Sequence, residues 1–486
     1  MRLSIFYSSS PLKVIQRSLL LTLLLAVLPL VNGCLLGPDY LRPEIDTPDG
    51  WKEVRGESGS RLNAIPADEL PKGRWWEIYD DSELNRLQQE ATLNNQDLRA
   101  AMARLEQAGA AARVAGAAIM PTLDLQADAQ RGASSADLTP GGASQTGTTI
   151  NLPLNLAYEL DLWGRLRRQS EAAGADFAAS AAELESFRLL LHSEVARSYF
   201  TLQTLEREVG LLSKTLELRR KNQKMMNHRY QLGIGNRLDL SRAQTETATS
   251  EAELITLQQQ RSEMEHALAL LLGAHPAELE LSKGEHLPTP PPLQPGLPAE
   301  LLLRRPDVAA AERKLKAANA RIGMAEAAFF PGIRLTGAAG FGSTELSTLL
   351  NSGNSFWNLG PQLSLPIFDG GANQARLDQA GAAHREALAG YQQTILQAFR
   401  EVEDALSALY HLENRHRAQT RALEHASEGL ELARRRYQGG LVSYFEVIES
   451  ERSHLGLQRA LLNTKGQQLQ AHIALVKALG GGFQEK

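Results

Sequence analysis

Residues 122–130 read TLDLQADAQ, with apolar side chains at Leu123, Leu125, Ala127 and Ala129 and polar ones between them. Residues 150–158 alternate in the same way through Ile150, Leu152, Leu154 and Leu156. Two further segments match, Ile333 to Phe341 and Trp357 to Ile367, the latter stepping through Trp357, Leu359, Leu363, Leu365 and Ile367. Period-two segments of about ten residues have the length and pattern of tilted strands in a membrane barrel. A water-soluble sheet packed on a helix gives the same alternation, so the pattern alone leaves both open. After residue 34 no apolar run is long enough for a membrane-crossing helix, and strands cross lipid only as a closed barrel. Four strands are too few to close one, since about eight is the smallest number found. Strands in lipid would therefore demand an oligomer.

The four segments belong to an internal duplication. Gly164 pairs with Gly371, Arg229-Tyr230-Gln231 with Arg436-Tyr437-Gln438, and Leu272-Gly273 with Leu479-Gly480, each at an offset of 207 residues. Upstream, AIMP ending at Pro121 matches AFFP ending at Pro331 at an offset of 210. The copies differ in length only in the Gly-, Ser- and Thr-rich loops, Arg131 to Thr149 and Gly342 to Ser355.

Each copy predicts a helix, a strand pair, a long helix, a turn and a returning helix. No proline interrupts Gly164 to Gly233, where Leu184, Phe187, Leu191, Val195, Tyr199 and Leu202 step by threes and fours as a coiled-coil seam does. Tyr391, Ile395, Phe399, Val402, Leu406 and Leu409 repeat the seam in the second copy. A continuous helix of about 65 residues is roughly 100 Å long. Shorter helices return over Leu238 to Leu272 and Phe445 to Leu479, and alanine-rich helices lead over Ser82 to Ala118 and Ala299 to Ala328. Pro121 and Pro331 end the leading helices, because proline cannot continue the ladder.

The spacing divides the chain into a leader (1–33), an irregular Pro-, Gly- and Ser-rich arm (34–75) and a first repeat (76–285). A connector (286–299), a second repeat (300–480) and a tail (481–486) follow. The connector contains HLPTPPPLQPGLP, whose six prolines favour a stiff extended path. In the leader Arg2, Lys13 and Arg17 precede the apolar run LLLTLLLAVLPLV, the pattern of a secretory signal. Cys34 is the single cysteine of the 486 residues, so it has no intrachain disulfide partner. VNGC resembles a bacterial lipobox in which this cysteine is acylated, and Leu35 in place of aspartate resembles lipoproteins sent to the outer membrane. Asn32 departs from the small or hydroxylated residue usual before the glycine.

With 51 basic and 56 acidic residues and a net charge of -5, the chain has no electrostatic reason to bind nucleic acid. An enzyme reading finds no support. GIGNRL (Gly233 to Leu238) lacks the third glycine of a dinucleotide fingerprint and follows a helix, and no phosphate loop, zinc-protease helix or serine elbow occurs. His411 and His416, five apart, do not share a helix face. No cofactor or metal is expected.

GPDYLRP (Gly37 to Pro43), AYELDLWGR (Ala157 to Arg165), RRPDVAAAERKLKAANARIGMAEAAFFP (Arg304 to Pro331) and LPIFDGG (Leu365 to Gly371) resemble signature stretches of the TolC-like outer membrane efflux channels, OprM/NodT-type lipoprotein branch. The likeness covers essentially the whole mature chain. It implies a mainly α fold with membrane β: a coiled-coil tunnel of long antiparallel helices, and four strands per protomer in a twelve-stranded outer-membrane barrel shared by a homotrimer. It also implies a passive conduit partnered by a periplasmic adaptor and an inner-membrane pump of the resistance-nodulation-division class. Drugs, toxic organic compounds and metal ions are all eligible cargo. A lipid-anchored soluble coiled-coil scaffold of the envelope is the alternative left by the residues alone.

The turns, Gly233 to Asn236 and Gly439 to Ser443, should lie at the far end of the long helices from the strands. There Gly233, Gly235, Gly439 and Gly440 permit tight reversal, and the resemblance gives them a second role in receiving the adaptor's hairpin tips. Glu446 and Glu449 sit three apart on one face at a helix start, where acids complement the helix dipole in any case. The family places acidic rings at this position, which makes both candidates for a cation-favouring aperture ring. Asp239 and Tyr437 match positions in the family's polar latch. Val442 stands where some members carry a basic partner, with Arg237 as a possible substitute.

Overall fold

The computed structural model describes residues 35–53, 62–64, 73–138, 144–279, 281, 287–291, 293–294, 304–481 and 483–484. The expected leader and the acylation site at Cys34 lie outside them. The first half carries β1 (Leu62–Ala64), α1 (Ser82–Asn94), α2 (Gln96–Ala117), β2 (Thr122–Leu125), β3 (Asp128–Ala133), β4 (Thr146–Leu160), α3 (Arg165–Gln231) and α4 (Arg237–Leu272). The second carries β5 (Leu293–Gln294), α5 (Pro306–Ala327), β6 (Gly332–Ser343), β7 (Ser355–Ser364), α6 (Ala372–Gln438), α7 (Tyr444–Ala478) and β8 (Phe483–Gln484). Contacts group the described residues into two units. One comprises those within Met1–Pro43, Glu106–Ala179 and Ala311–Gly390, the other those within Glu44–Leu105, Ser180–Ala310 and Tyr391–Lys486.

The first unit holds an antiparallel sheet in the order β2-β4-β6-β7, with β3 also paired to β4. Residues directly opposite in such a sheet project to the same face. Leu125 lies opposite Leu154, Leu154 opposite Ala339, and Ala339 opposite Trp357. Leu123, Leu156, Gly337 and Leu359 form a second row on that face, and Leu160, Ile333 and Leu363 a third. The opposite face carries Asp124 against Asn155, and Glu159, Arg334 and Gln362 in register. Along these rows one face is apolar across β2, β4, β6 and β7, and beyond them Arg131 of β3 joins it opposite Thr148; Leu123 is nevertheless 64%, Leu363 68% and Trp357 80% exposed.

The segment expected as one strand over 122–130 is two, interrupted at Gln126 and Ala127. These residues run beside Pro153 of β4, which has no N–H to give the ladder, and Gln126 N instead donates to the Pro153 carbonyl at 3.0 Å. On its other side Pro153 pairs with Gly340, where a Cβ would come within 2.7 Å of the Pro153 Cα. The last strand begins two residues before Trp357 and stops at Ser364, leaving Leu365 and Ile367 outside it.

The same unit anchors the arm. Arg168, its side chain 2% exposed, donates to the Leu36 carbonyl at 3.0 Å, the Gly37 carbonyl at 3.0 Å and the Asp39 carboxylate at 2.9 Å. Asn319 donates to the Pro38 carbonyl at 2.7 Å. The GPDYLRP stretch is therefore irregular in path but fixed in place.

Both long helices, α3 and α6, contain 67 residues, and their returns α4 and α7 contain 36 and 35. Asp161 starts α3 by accepting from the Leu166 and Arg167 amides, and Asp369 starts α6 by accepting from Gly371 and Asn373, which occupies donors a helix start leaves unpaired. The expected leading helix over 82–118 breaks at Asn95. Its side chain accepts from Leu98 N at 2.7 Å and donates to the Leu271 carbonyl at 2.9 Å, so it caps α2 and ties it to α4. Beyond that break α2 and α5 are each 22 residues long.

In the second unit the arm, the connector and the tail meet in a small sheet, β5-β1-β8, with β1 parallel to β5 and antiparallel to β8. His472 of α7 sits beside it, accepting or donating at Nδ1 with the Tyr79 hydroxyl (2.6 Å) and facing the Pro291 carbonyl with Nε2 (2.8 Å). Since a carbonyl only accepts, Nε2 carries the proton and Tyr79 donates to Nδ1.

Candidate gate at the paired helical turns

The two turns are built alike. Gly233 N donates to the Tyr230 carbonyl and Ile234 N to the Arg229 carbonyl; Gly440 N and Leu441 N repeat this with Tyr437 and Arg436. This nested pair closes a helix on a residue in the left-handed region, here Gly233 (φ 75°) and Gly440 (φ 74°). Gly235 serves a different need, because a Cβ there would lie 2.7 Å from Tyr230 N. Gly439 has neither a positive φ nor a close neighbour, so the reversal role expected of it falls to Gly440. The return helices start differently: Asn236 caps α4 through its side chain, and Ser443 gives α7 no such bond.

An apolar cluster joins the hairpins, with Met226, Leu240 and Ala243 of the first packed on Tyr444, Val447 and Ile448 of the second and Tyr437 at its edge. Tyr437 and Tyr444 have ring centres 5.4 Å apart. Burial pushes the Tyr444 hydroxyl up to about 12, so it stays protonated at neutral pH. Beside the cluster is a cavity of about 880 Å³, bordered by Arg229, Asp239, Tyr437, Val442 and Glu451 among others.

Every carboxylate singled out from the sequence has a basic partner in its own chain. Glu446 lies 3.7 Å from Arg436, Glu449 2.8 Å from Arg452, and Asp239 3.9 Å from Arg242. Tyr437 does not bond Asp239; its hydroxyl accepts from Arg229 Nη1 at 3.1 Å and donates toward Met226 Sδ at 3.8 Å. Arg237 lies over the Tyr230 ring, 5.5 Å from its centre. Arg229, Arg436 and Arg452 escaped the sequence reading. The first two were visible as the leading residue of the repeated RYQ triplet, but only tertiary proximity shows what they bind.

Among the described residues no helix is long and apolar enough to cross a membrane, and no cluster of His, Cys, Asp and Glu is arranged to hold a metal. A sheet with broad apolar rows on one face, in a chain whose described helices are too polar to cross lipid, is the pattern of a strand-inserted membrane protein. The chain belongs to the outer membrane efflux protein family, whose pattern matches residues 87–274 and again residues 297–481, once per repeat. It is 35% identical to the solvent efflux pump outer membrane protein SrpC of Pseudomonas putida over 93% of this chain and 96% of that one. Cation efflux system protein CusC of Escherichia coli is 34% identical over 94% and 97%. The crystal structure of the open state of the Neisseria gonorrhoeae MtrE outer membrane channel superimposes with a TM-score of 0.81 at 32% identity, over 92% of this chain and 98% of that chain. The protein is thus an efflux channel component of the outer membrane with the TolC-like fold, from a family of channels and not of enzymes.

Proposed function

We propose that three copies of this chain close one twelve-stranded barrel, with β2 and β3 counting as one interrupted strand, and that their helices line a single passive conduit. One observation carries this reading: the rows from Leu125 to Leu363 make one face of the sheet apolar across β2, β4, β6 and β7, and among the described residues the sheet ends in two unpaired edges, β2/β3 and β7. Such a sheet satisfies its backbone in lipid only when its edges are joined to others. An inner-membrane pump of the resistance-nodulation-division class, linked through a periplasmic adaptor, would load the conduit with drugs, toxic organic compounds or metal ions. Acylation at Cys34 would add a lipid anchor, with two or three chains for stable attachment.

In this reading the turns form the periplasmic aperture. Glu446 and Glu449 supply its acidic ring, Asp239 and Tyr437 its latch, and the turns around Gly233, Gly235, Gly439 and Gly440 its contact with the adaptor. The ion pairs to Arg436 and Arg452 moderate the ring's charge at rest, and their exposure leaves both carboxylates open to passing cations. Purified protein in planar bilayers tests the proposal: single-channel currents are expected, and Glu446→Ala with Glu449→Ala should lower cation preference. A water-soluble monomer released by Cys34→Ala, or selectivity unaltered by the double substitution, would count against the barrel and the ring respectively.

A further inference from the structure

Glu246 and Glu253 on α4 are seven residues apart, as are Arg452 and Arg459 on α7. Seven residues make about two helical turns, so each pair occupies one helix face and the two pairs meet in register. Arg452 Nε donates to Glu246 Oε1 at 3.0 Å, and Arg459 Nη1 to Glu253 Oε2 at 3.0 Å. These rungs join the returning helix of one repeat to that of the other.

The rungs differ in what each ion keeps if the helices part. The Glu246 side chain is 9% exposed and also binds Arg219 of its own hairpin at 3.1 Å. Arg452 is 52% exposed and also binds Glu449 of its own helix at 2.8 Å. Both charges at this rung therefore retain a partner after separation. At the other rung Arg459 Nε donates to Glu208 Oε1 of α3 at 2.6 Å, and the Glu208 side chain is 5% exposed. Among the described residues no second cation reaches Glu208. Stranding a buried carboxylate costs far more than breaking a pair whose members keep other partners. Leu455, between the rungs, packs on Leu212 and Leu257 and reinforces the Arg459 level. The apolar cluster nearer the turns is non-directional and does not itself fix the register.

We infer that Arg459 is the fixed rung and Arg452 the exchangeable one, so that the turn-proximal end of α7 shifts against α4 about a point held at Arg459. The inference rests on the channel reading above and makes Arg452 a positioning residue acting through Glu246; its second pair, with Glu449, bears on the ring's charge and is told apart by cation preference, which a shift of α7 alone leaves unchanged and an unmasked Glu449 raises. Full-length protein and its Arg452→Gln, Arg452→Lys and Arg459→Gln variants are to be compared in planar bilayers, with thermal unfolding of each in one detergent. Arg452→Gln should raise mean conductance about threefold or more at an unchanged unfolding temperature. Arg452→Lys, which keeps the charge, should stay near wild type. Arg459→Gln should lower the unfolding temperature and leave the conductance of folded protein unchanged; Arg459→Lys carries the same comparison if the glutamine variant gives no folded protein. Wild-type conductance from Arg452→Gln, or an equal rise from an Arg459 variant, overturns the inference. No current from the wild type overturns the channel reading instead.

Discussion

Arg229 Nη1 donates to the Tyr437 hydroxyl at 3.1 Å, so the first residue of the RYQ triplet in one repeat binds the second residue of the triplet in the other. The reciprocal bond is not made. Arg436 turns to Glu446, and Tyr230 lies under Arg237. The duplicated turns are alike in backbone and unlike in side-chain wiring, and Tyr437 adds a directional contact between the hairpins on the turn side of the Arg452 and Arg459 bonds. Tyr437→Phe keeps the ring on Tyr444 and removes the bond, a loss of about 1 kcal/mol for a partly exposed pair. Spontaneous conductance in bilayers should rise roughly fivefold; no rise would show that the bond does not bias the closed turn.

Gly440 and Gly439 separate conformation from space. Neither would meet a clashing neighbour as alanine, but only Gly440 has a positive φ. Gly440→Ala should cost roughly 1–2 kcal/mol and Gly439→Ala less than about 0.5 kcal/mol, read as shifts in thermal unfolding. Equal effects would contradict the turn geometry.

Leu154 and Asn155 are neighbours on opposite faces of the sheet. If the apolar face meets lipid, Leu154→Arg should cost about 2–4 kcal/mol near the bilayer centre, while Asn155→Arg is tolerated. The heat needed to dissociate the detergent-solubilised oligomer distinguishes them, and similar behaviour of the two variants would argue for a water-facing sheet.

His472 makes stability depend on pH. Burial pushes its imidazole down to about 4, against a weaker opposing pull from the Pro291 carbonyl. His192, packed on Trp76, is also pushed down to about 4, by burial and then by Arg188. With an unfolded value near 6.5, the unfolded chain binds more protons than the folded one below that pH. The contribution is intact above about pH 6.5 and declines as the pH falls toward about 4, by about 3 kcal/mol for each ring. His472→Gln should be less stable at neutral pH and lose less on acidification to about pH 5; an unchanged slope would remove His472 as its source.

Much of this was legible in the sequence because it is written in periodicity. The alternation at Leu123, Leu125, Leu152 and Leu154 and the fixed 207-residue offset set the strands, the long helices and the turns. The interruption at Gln126 was also encoded, but in Pro153, on the partner strand. The break at Asn95 went unread although its cap on Leu98 N is local; only its tie to the Leu271 carbonyl needs another helix. The small sheet of β1, β5 and β8 was not readable, because strands of two or three residues carry no period. The ion pairs of Glu446 and Glu449 were missed for a related reason: helix position predicts which face a carboxylate occupies, and only packing decides which arginine reaches it.

The equality of α3 and α6, 67 residues each, acts as a caliper with two legs. One residue inserted in a single leg would advance its turn by about 1.5 Å and rotate it by about 100°, breaking every pairing between the hairpins at once. Length can therefore drift freely in the loops between strands, whereas the legs are bound to each other: a change in one survives only if the other is lengthened or shortened by the same amount.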